Sequence, residues 1–216
     1  MRFKLLACEV LQREISSLMV NSLHQIDVEF LPQQLHAIGR VRMKNRLSEY
    51  LAAVDEDSYD ALLLAYGLCS GGIAGLAAKK IPMVVPRAHD CITFFLGSRQ
   101  KYQDYFFANG GTYFMTTGWF EVDNALQHGV EMMPFYKKLA FITTGLEPDD
   151  SCERQTKKIA EEWHWEFEKI PGDLSLLQRF LNGDWNDDFL IVPPGQQIHE
   201  SYDDDIINSE SSINET

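Results

Sequence analysis

The chain has 216 residues, of which 45% are hydrophobic and 12% aromatic, which is enough apolar material for one substantial core or two small lobes and too much for a disordered polymer. A formal net charge of -13 repels nucleic-acid phosphates and anionic lipid surfaces, so neither is an expected partner. No segment reaches the roughly 20 uninterrupted apolar residues of a membrane-spanning helix, so a cytoplasmic protein is expected, and in that reducing compartment the 4 cysteines are not expected to form a disulfide framework.

At the start, Leu5-Leu6-Ala7-Cys8 superficially resembles a lipoprotein cleavage site. Arg2 and Lys4 interrupt the apolar run and Glu9 closes it, well short of the roughly 7–15 apolar residues of a secretory core. Residues 3–8 therefore read as a first buried strand. A helical stretch over 10–23, a strand at 28–31 and a helix over 40–54 follow, the last with apolar residues at Val41, Leu47, Leu51 and Val54. A third strand at 61–66 runs into Gly67-Leu68-Cys69-Ser70-Gly71-Gly72, a glycine-rich turn expected to lead into a short helix through Leu76. A fourth strand, 83–85, ends at Pro86.

A second series begins with the aromatic stretch 94–107, expected to be one helix, and the Asn109-Gly110-Gly111 turn. Strands are expected at 113–116, 139–143, 165–170 and 189–192, with helices over 124–133, 150–163 and 174–181. The alternation of short β-rich runs with amphipathic stretches is the pattern of an α/β protein, Rossmann-like, with parallel open sheet or sheets flanked by helices. One continuous sheet and two similar small lobes fit about equally. The division expected is an N-terminal lobe over 1–110, a C-terminal lobe over 111–200, and a disordered acidic tail over 201–216, where Asp203-Asp204-Asp205 and a Ser/Asn/Glu-rich end supply little apolar content.

In parallel sheets, ligands bind at the carboxyl ends of the strands, where strand order reverses. Cys8, Cys69 and the His89-Asp90-Cys91 segment all lie just beyond strand ends. With strands ordered 2-1-3-4 and neighbours about 4.8 Å apart, these side chains converge. Three thiols and an imidazole suit zinc, and less well iron: a Zn–S bond of about 2.3 Å puts sulfurs about 3.8 Å apart, within reach of adjacent strand ends. The His-x-Cys spacing lets His89 and Cys91 turn toward one ion, with Asp90 as an outer hydrogen-bond partner. The opposing reading is that these are buried cysteines without function. Cys152, in an acidic helix start, is read as incidental.

Weaker candidates surround this set. Arg87 is the catalytic candidate, as a clamp for an anionic group. The glycine-rich turn, Thr143-Thr144-Gly145 and Pro193-Pro194-Gly195-Gln196 are possible anion cradles or ordinary turns. Tyr66, Tyr102 and Trp119 are candidate lining residues, and His36 is a separate candidate among the scattered histidines His36, His128, His164 and His199.

Ala7-Cys8-Glu9, Tyr66-Gly67-Leu68-Cys69, Pro86-Arg87-Ala88-His89-Asp90-Cys91, Leu96-Gly97-Ser98 with Tyr102, and Thr117-Gly118-Trp119 together resemble an uncharacterised prokaryotic family known as the domain of unknown function DUF1638. The resemblance implies a setting among methylamine and corrinoid-linked methyl metabolism, with a small-molecule ligand and a corrinoid protein as partners. Zinc-thiolate methyltransferases offer a chemical precedent, using a His-x-Cys pair and a further cysteine; here the extra cysteine lies upstream of the pair instead. Three functions stay open: a zinc enzyme acting on a small thiol or methylated amine, a structural-metal binding module for a corrinoid or other partner protein, and a metal-free thiol or redox enzyme.

Overall fold

In the computed structural model, which describes residues 1–122 and 135–211, the elements run β1 (Arg2–Cys8), α1 (Gln12–Met19), β2 (Gln25–Leu31), α2 (Arg40–Ala52), β3 (Ala61–Ala65) and β4 (Met83–Pro86). Next come α3 (Ile92–Leu96), α4 (Arg99–Ala108), β5 (Thr112–Met115), α5 (Thr117–Val122), β6 (Lys138–Thr143), α6 (Ser151–Trp163) and β7 (Glu166–Pro171). The chain closes with α7 (Ser175–Asn182), β8 (Phe189–Val192), β9 (Gln196–Glu200) and β10 (Ile207–Ser211). The helix expected over 124–133 lies outside the described residues.

The fold is α/β and Rossmann-like, with two parallel-dominated sheets flanked by helices. The chain forms two compact units. Met1–Cys91 and Leu176–Thr216 make the first, and Ile92–Ser175 the second, so the division falls after Cys91 rather than near residue 110.

In the first unit the strand order is β2-β1-β3-β4-β8. β1, β2, β3 and β4 are parallel and β8 is antiparallel to β4. Strands covered on both faces need unbroken apolar sequence. Accordingly β1 is buried from Leu5 to Cys8, and every residue of Ala61–Ala65 and Met83–Pro86 is buried. The register sets Cys8 opposite Leu31, Ala7 opposite Ala65 and Leu63 opposite Val84, which aligns the carboxyl ends of β1 and β3. Helix α2 buries Met43, Leu47 and Leu51, spaced four apart, and α7 buries Leu176, Leu177, Phe180 and Leu181, as amphipathic helices on a sheet do.

The segment after Cys69 is a chain of turns and not a helix through Leu76. Cys69 (φ 46°), Ser70 (φ 57°), Gly71 (φ 86°) and Gly75 (φ 83°) all lie in the left-handed region, where a right-handed helix cannot propagate. The turns lie against the loop after β4. The Leu68 N–H donates to the Ala88 carbonyl at 2.7 Å and the Cys69 N–H to the His89 carbonyl at 2.9 Å. Gly67 has no room for a side chain, since a Cβ would stand 2.6 Å from the Asp90 Cα and 2.7 Å from its nitrogen.

Residues 201–211 are not a mobile tail. β9 and β10 form an antiparallel hairpin, and Ile198, Ile206 and Ile207 are each at most 1% exposed. The three aspartates make its turn: the Asp203 carboxylate accepts from the Ser201 hydroxyl at 2.6 Å and from the Asp205 N–H at 2.9 Å. Two adjacent isoleucines thus supply the apolar anchor that average composition hid.

In the second unit, β5, β6 and β7 form a parallel sheet in the order β5-β6-β7. Met115, Leu139, Phe141 and Ala160 make its core, with Tyr113, Trp119, Cys152, Trp165 and Phe167 packed on it. The stretch expected as one helix over 94–107 is two, α3 and α4. Gly97 breaks it at φ 84°, with a Cβ position 2.5 Å from the Asp173 carboxyl carbon. Ser98 then caps α4 by accepting from the Lys101 N–H at 3.1 Å. Among the described residues no helix is long and apolar enough to cross a membrane.

Ile207→Ala should cost about 2–5 kcal/mol in urea unfolding, the range for truncating a buried isoleucine, whereas truncation in a mobile tail would cost nothing. Gly67→Ala should cost about 1–3 kcal/mol through forced separation of two backbones, and a value near zero would show that the two loops are not pressed together.

Candidate thiol site

Three elements deliver one cysteine each to the same end of the first sheet. Cys8 is the last residue of β1 and is 7% exposed. Cys69 sits in the left-handed turn four residues beyond the end of β3, and Cys91 follows β4 by five residues. The two loop cysteines keep some exposed surface, yet burial is the leading influence on both sulfurs.

The thiols lie close enough to act on one another. Burial pushes Cys8 up to about 11, with the Glu9 carboxylate adding to the rise. Cys69 is pushed up to about 12, by burial first and then by Asp90 and Cys8. Cys91 is raised well above its ordinary value by burial, then by Asp90, Cys69 and Cys8. A low-dielectric site next to carboxylates disfavours a bare thiolate. Opposing this, an N–H group points at each sulfur: that of Val10 at Cys8, that of Gly67 at Cys69 and its own at Cys91.

Tyr66, directly after β3, completes the cluster. It is 3% exposed, and its buried hydroxyl lies within reach of the Cys8 sulfur. Burial and then the charges of Cys8, Cys69, Cys91 and Glu9 raise its proton affinity, so all three sulfurs lie within electrostatic reach of it. The phenol in turn favours the thiolate form of Cys8.

The structure thus brings Cys8, Cys69 and Cys91 to within electrostatic reach of one another. His89 is exposed, and its ring is not among the leading influences on any of the three thiols. Its backbone carbonyl is the part that serves the site, by accepting from Cys69. Arg87 has its guanidinium on the C-terminal hairpin, where it donates to the Asp205 carbonyl at 3.0 Å and to the Ile207 carbonyl; that is the position of a strut and not of an anion clamp. Cys152 packs on the core of the second unit. His36 is exposed, Tyr102 stacks on Phe106, and Trp119 belongs to the second unit's core. The Thr143-Thr144-Gly145 turn is filled by Glu147 of the same unit, which accepts from the Thr144 N–H at 2.6 Å and the Gly145 N–H at 2.9 Å. Glu9 and the N–H donors were not singled out from the sequence. Glu9 carried a signal, being next to Cys8 at a strand end; the donors depend on loop geometry and carried none.

As the side chains stand, no group of three or more His, Cys, Asp or Glu among the described residues is arranged to hold a metal ion. A small cavity around Leu51, Leu62, Ile81 and Met83 lies toward the opposite, amino-terminal ends of β3 and β4 and has no part in the thiol cluster. No curated protein and no solved structure matches the chain. The family model described as "Protein of unknown function (DUF1638)" matches residues 30–181, a span that holds Cys69, His89 and Cys91 and covers well over half of the sequence, and the chain belongs to that family.

Proposed function

We propose that Cys8, Cys69 and Cys91 form a thiolate centre for a soft divalent cation, zinc before iron, and that its remaining position receives a small thiol or a similar ligand. The observation that carries this reading is the gathering of three strand-end sulfurs near one another and near the buried hydroxyl of Tyr66. The chemistry fits a cation. Neighbouring Glu9 and Asp90 make the potential negative, and a bound cation would reverse the penalty on thiolates and release their protons. N–H groups aimed at sulfur are the outer contacts that such ligands need. Occupancy requires the three side chains to turn toward a common point. With His89 exposed, the fourth ligand in this reading is exogenous, which is the arrangement of a reactive centre and not of a closed structural one. The methyl-transfer and corrinoid setting rests on the family resemblance alone.

The metal-free thiol reading is disfavoured by the same electrostatics, because a nucleophilic cysteine needs a lowered proton affinity and these are raised. Metal-free protein should accordingly alkylate slowly at Cys8, Cys69 and Cys91 at neutral pH. Rapid reaction at one of them would restore that reading.

The folded form also keeps thiol protons that the unfolded chain gives up near the ordinary value of 9.0. Stability of the metal-free protein is therefore full below about pH 9 and falls as pH rises toward about 11 for Cys8 and about 12 for Cys69. Urea unfolding across this range should show the decline, and Cys8→Ala should flatten part of it.

The deciding measurement is metal content. Protein purified without added metal should carry close to one equivalent, mostly zinc. Cys69→Ser should lose it, while Cys152→Ser and His89→Ala should keep it. Wild-type protein with well under one equivalent, and with no proton release on titration with zinc, would remove the proposal.

A further inference from the structure

The C-terminal hairpin is joined to both loops that carry thiols. On one side, β9 pairs with residues 75–78. The Gly75 N–H donates to the Ile198 carbonyl at 2.7 Å, the Ile198 N–H to the Leu76 carbonyl at 2.9 Å, and the Ala78 N–H to the Gln196 carbonyl at 3.0 Å. Glu200, at the end of β9, meets the Arg40 guanidinium at 2.5 Å. That ion pair lies against Gly71, where a Cβ would stand 2.4 Å from the Glu200 carboxylate and 2.8 Å from the Arg40 Cζ. It therefore presses on the same left-handed turn that holds Cys69.

On the other side stands Arg87, four residues before Cys91. Its guanidinium donates to the carbonyls of Asp205 and Ile207, the Asp205 carboxylate is 3.8 Å away, and the side chain is only 14% exposed. Its own N–H donates to the Asp188 carbonyl at 2.8 Å. A guanidinium held in this way fixes direction as well as distance, because its donors form a rigid fork.

Two consecutive non-glycine residues with left-handed backbone, Cys69 and Ser70, are strained and persist only where surrounding contacts over-determine them. The loop after β4 supplies some of those contacts. The hairpin supplies the others, from a part of the chain more than a hundred residues away.

We propose that Arg87 and Glu200 are positioning residues of the thiol site, and that the β9–β10 hairpin is a clasp whose seating sets how Cys69 and Cys91 face each other. This rests on reading the three cysteines as one functional site, and it needs no metal. Released from the hairpin, the Cys69 turn relaxes toward ordinary backbone and its sulfur gains access to solvent.

The test uses full-length, metal-stripped protein, alkylated with iodoacetamide at one fixed pH and followed cysteine by cysteine by mass spectrometry. Arg87→Ala should speed alkylation of Cys69 and Cys91 by about tenfold or more, the response to a local opening, and leave Cys152 in the second unit unchanged. Arg87→Lys, which keeps charge and loses the fork, should fall between. Glu200→Gln should speed Cys69 more than Cys91, with faster amide exchange over residues 67–72. Equal acceleration of all cysteines in Arg87→Ala would mean general loss of stability and would overturn the proposal, as would unchanged rates in a folded variant. Should Arg87→Ala fail to fold, Glu200→Gln decides alone, by whether Cys69 accelerates while Cys152 does not. Zinc content of the wild type is a separate measurement: altered alkylation in a protein that never holds zinc leaves the clasp standing without the metal, and unaltered alkylation in a zinc-holding protein does the reverse.

Discussion

The backbone pairing between residues 67–69 and 88–89 is the contact on which the thiol site depends. β3 and β4 are joined as a ladder only through Leu62 with Met83 and Leu63 with Val84, and two chains leaving so short a pairing would separate within a few residues. The Leu68–Ala88 and Cys69–His89 hydrogen bonds carry the association beyond the strands. Gly67 allows the backbones to touch at Asp90. Net, two such bonds are worth only about 1 kcal/mol each, but they decide where two sulfurs point.

Burial and charge act on these sulfurs in one direction. Desolvation leads for Cys8, Cys69 and Cys91, and Glu9, Asp90 and the thiols themselves add to it. A site of this kind suppresses thiolate chemistry, and a positive charge placed beside the sulfurs would offset these penalties together. Arg87, the nearest arginine in sequence to the His-x-Cys pair, is turned onto the hairpin carbonyls, which leaves the acidic character of the cluster intact.

Much of this was legible in the sequence because the first sheet is built from short apolar runs that have no alternative to burial. Ala-Leu-Leu-Leu-Ala in β3 and Met-Val-Val-Pro in β4 announce parallel strands, and the order β2-β1-β3-β4 follows from the commonest crossover rules. From that order alone Cys8, Cys69 and Cys91 fall at one rim. What stayed hidden depends on single backbone angles and on contacts distant in sequence. Nothing in Gly67-Leu68-Cys69-Ser70-Gly71-Gly72 says that two non-glycine residues take left-handed angles, so a helix was expected where turns are found. The exposure of His89 depends on which way one loop residue faces. The acidic run Asp203-Asp204-Asp205 masked a hairpin because composition averages over the two isoleucines that anchor it, and the break at Gly97 was concealed by the aromatic stretch on either side.

The first unit is discontinuous: β8 and the hairpin reach it only after the whole of Ile92–Ser175 has intervened. On a ribosome, the four parallel strands and all three clustered thiols emerge well before the segment that completes their sheet, while the second unit is already whole and able to fold as a local module. Until residues 189–211 have been translated, β4 is an unpaired margin and the cysteine loops lack the hairpin. Completion of the sulfur cluster in this way waits on a segment made after the whole of the second unit, and a polypeptide halted before it would present uncovered thiols and an open sheet border together.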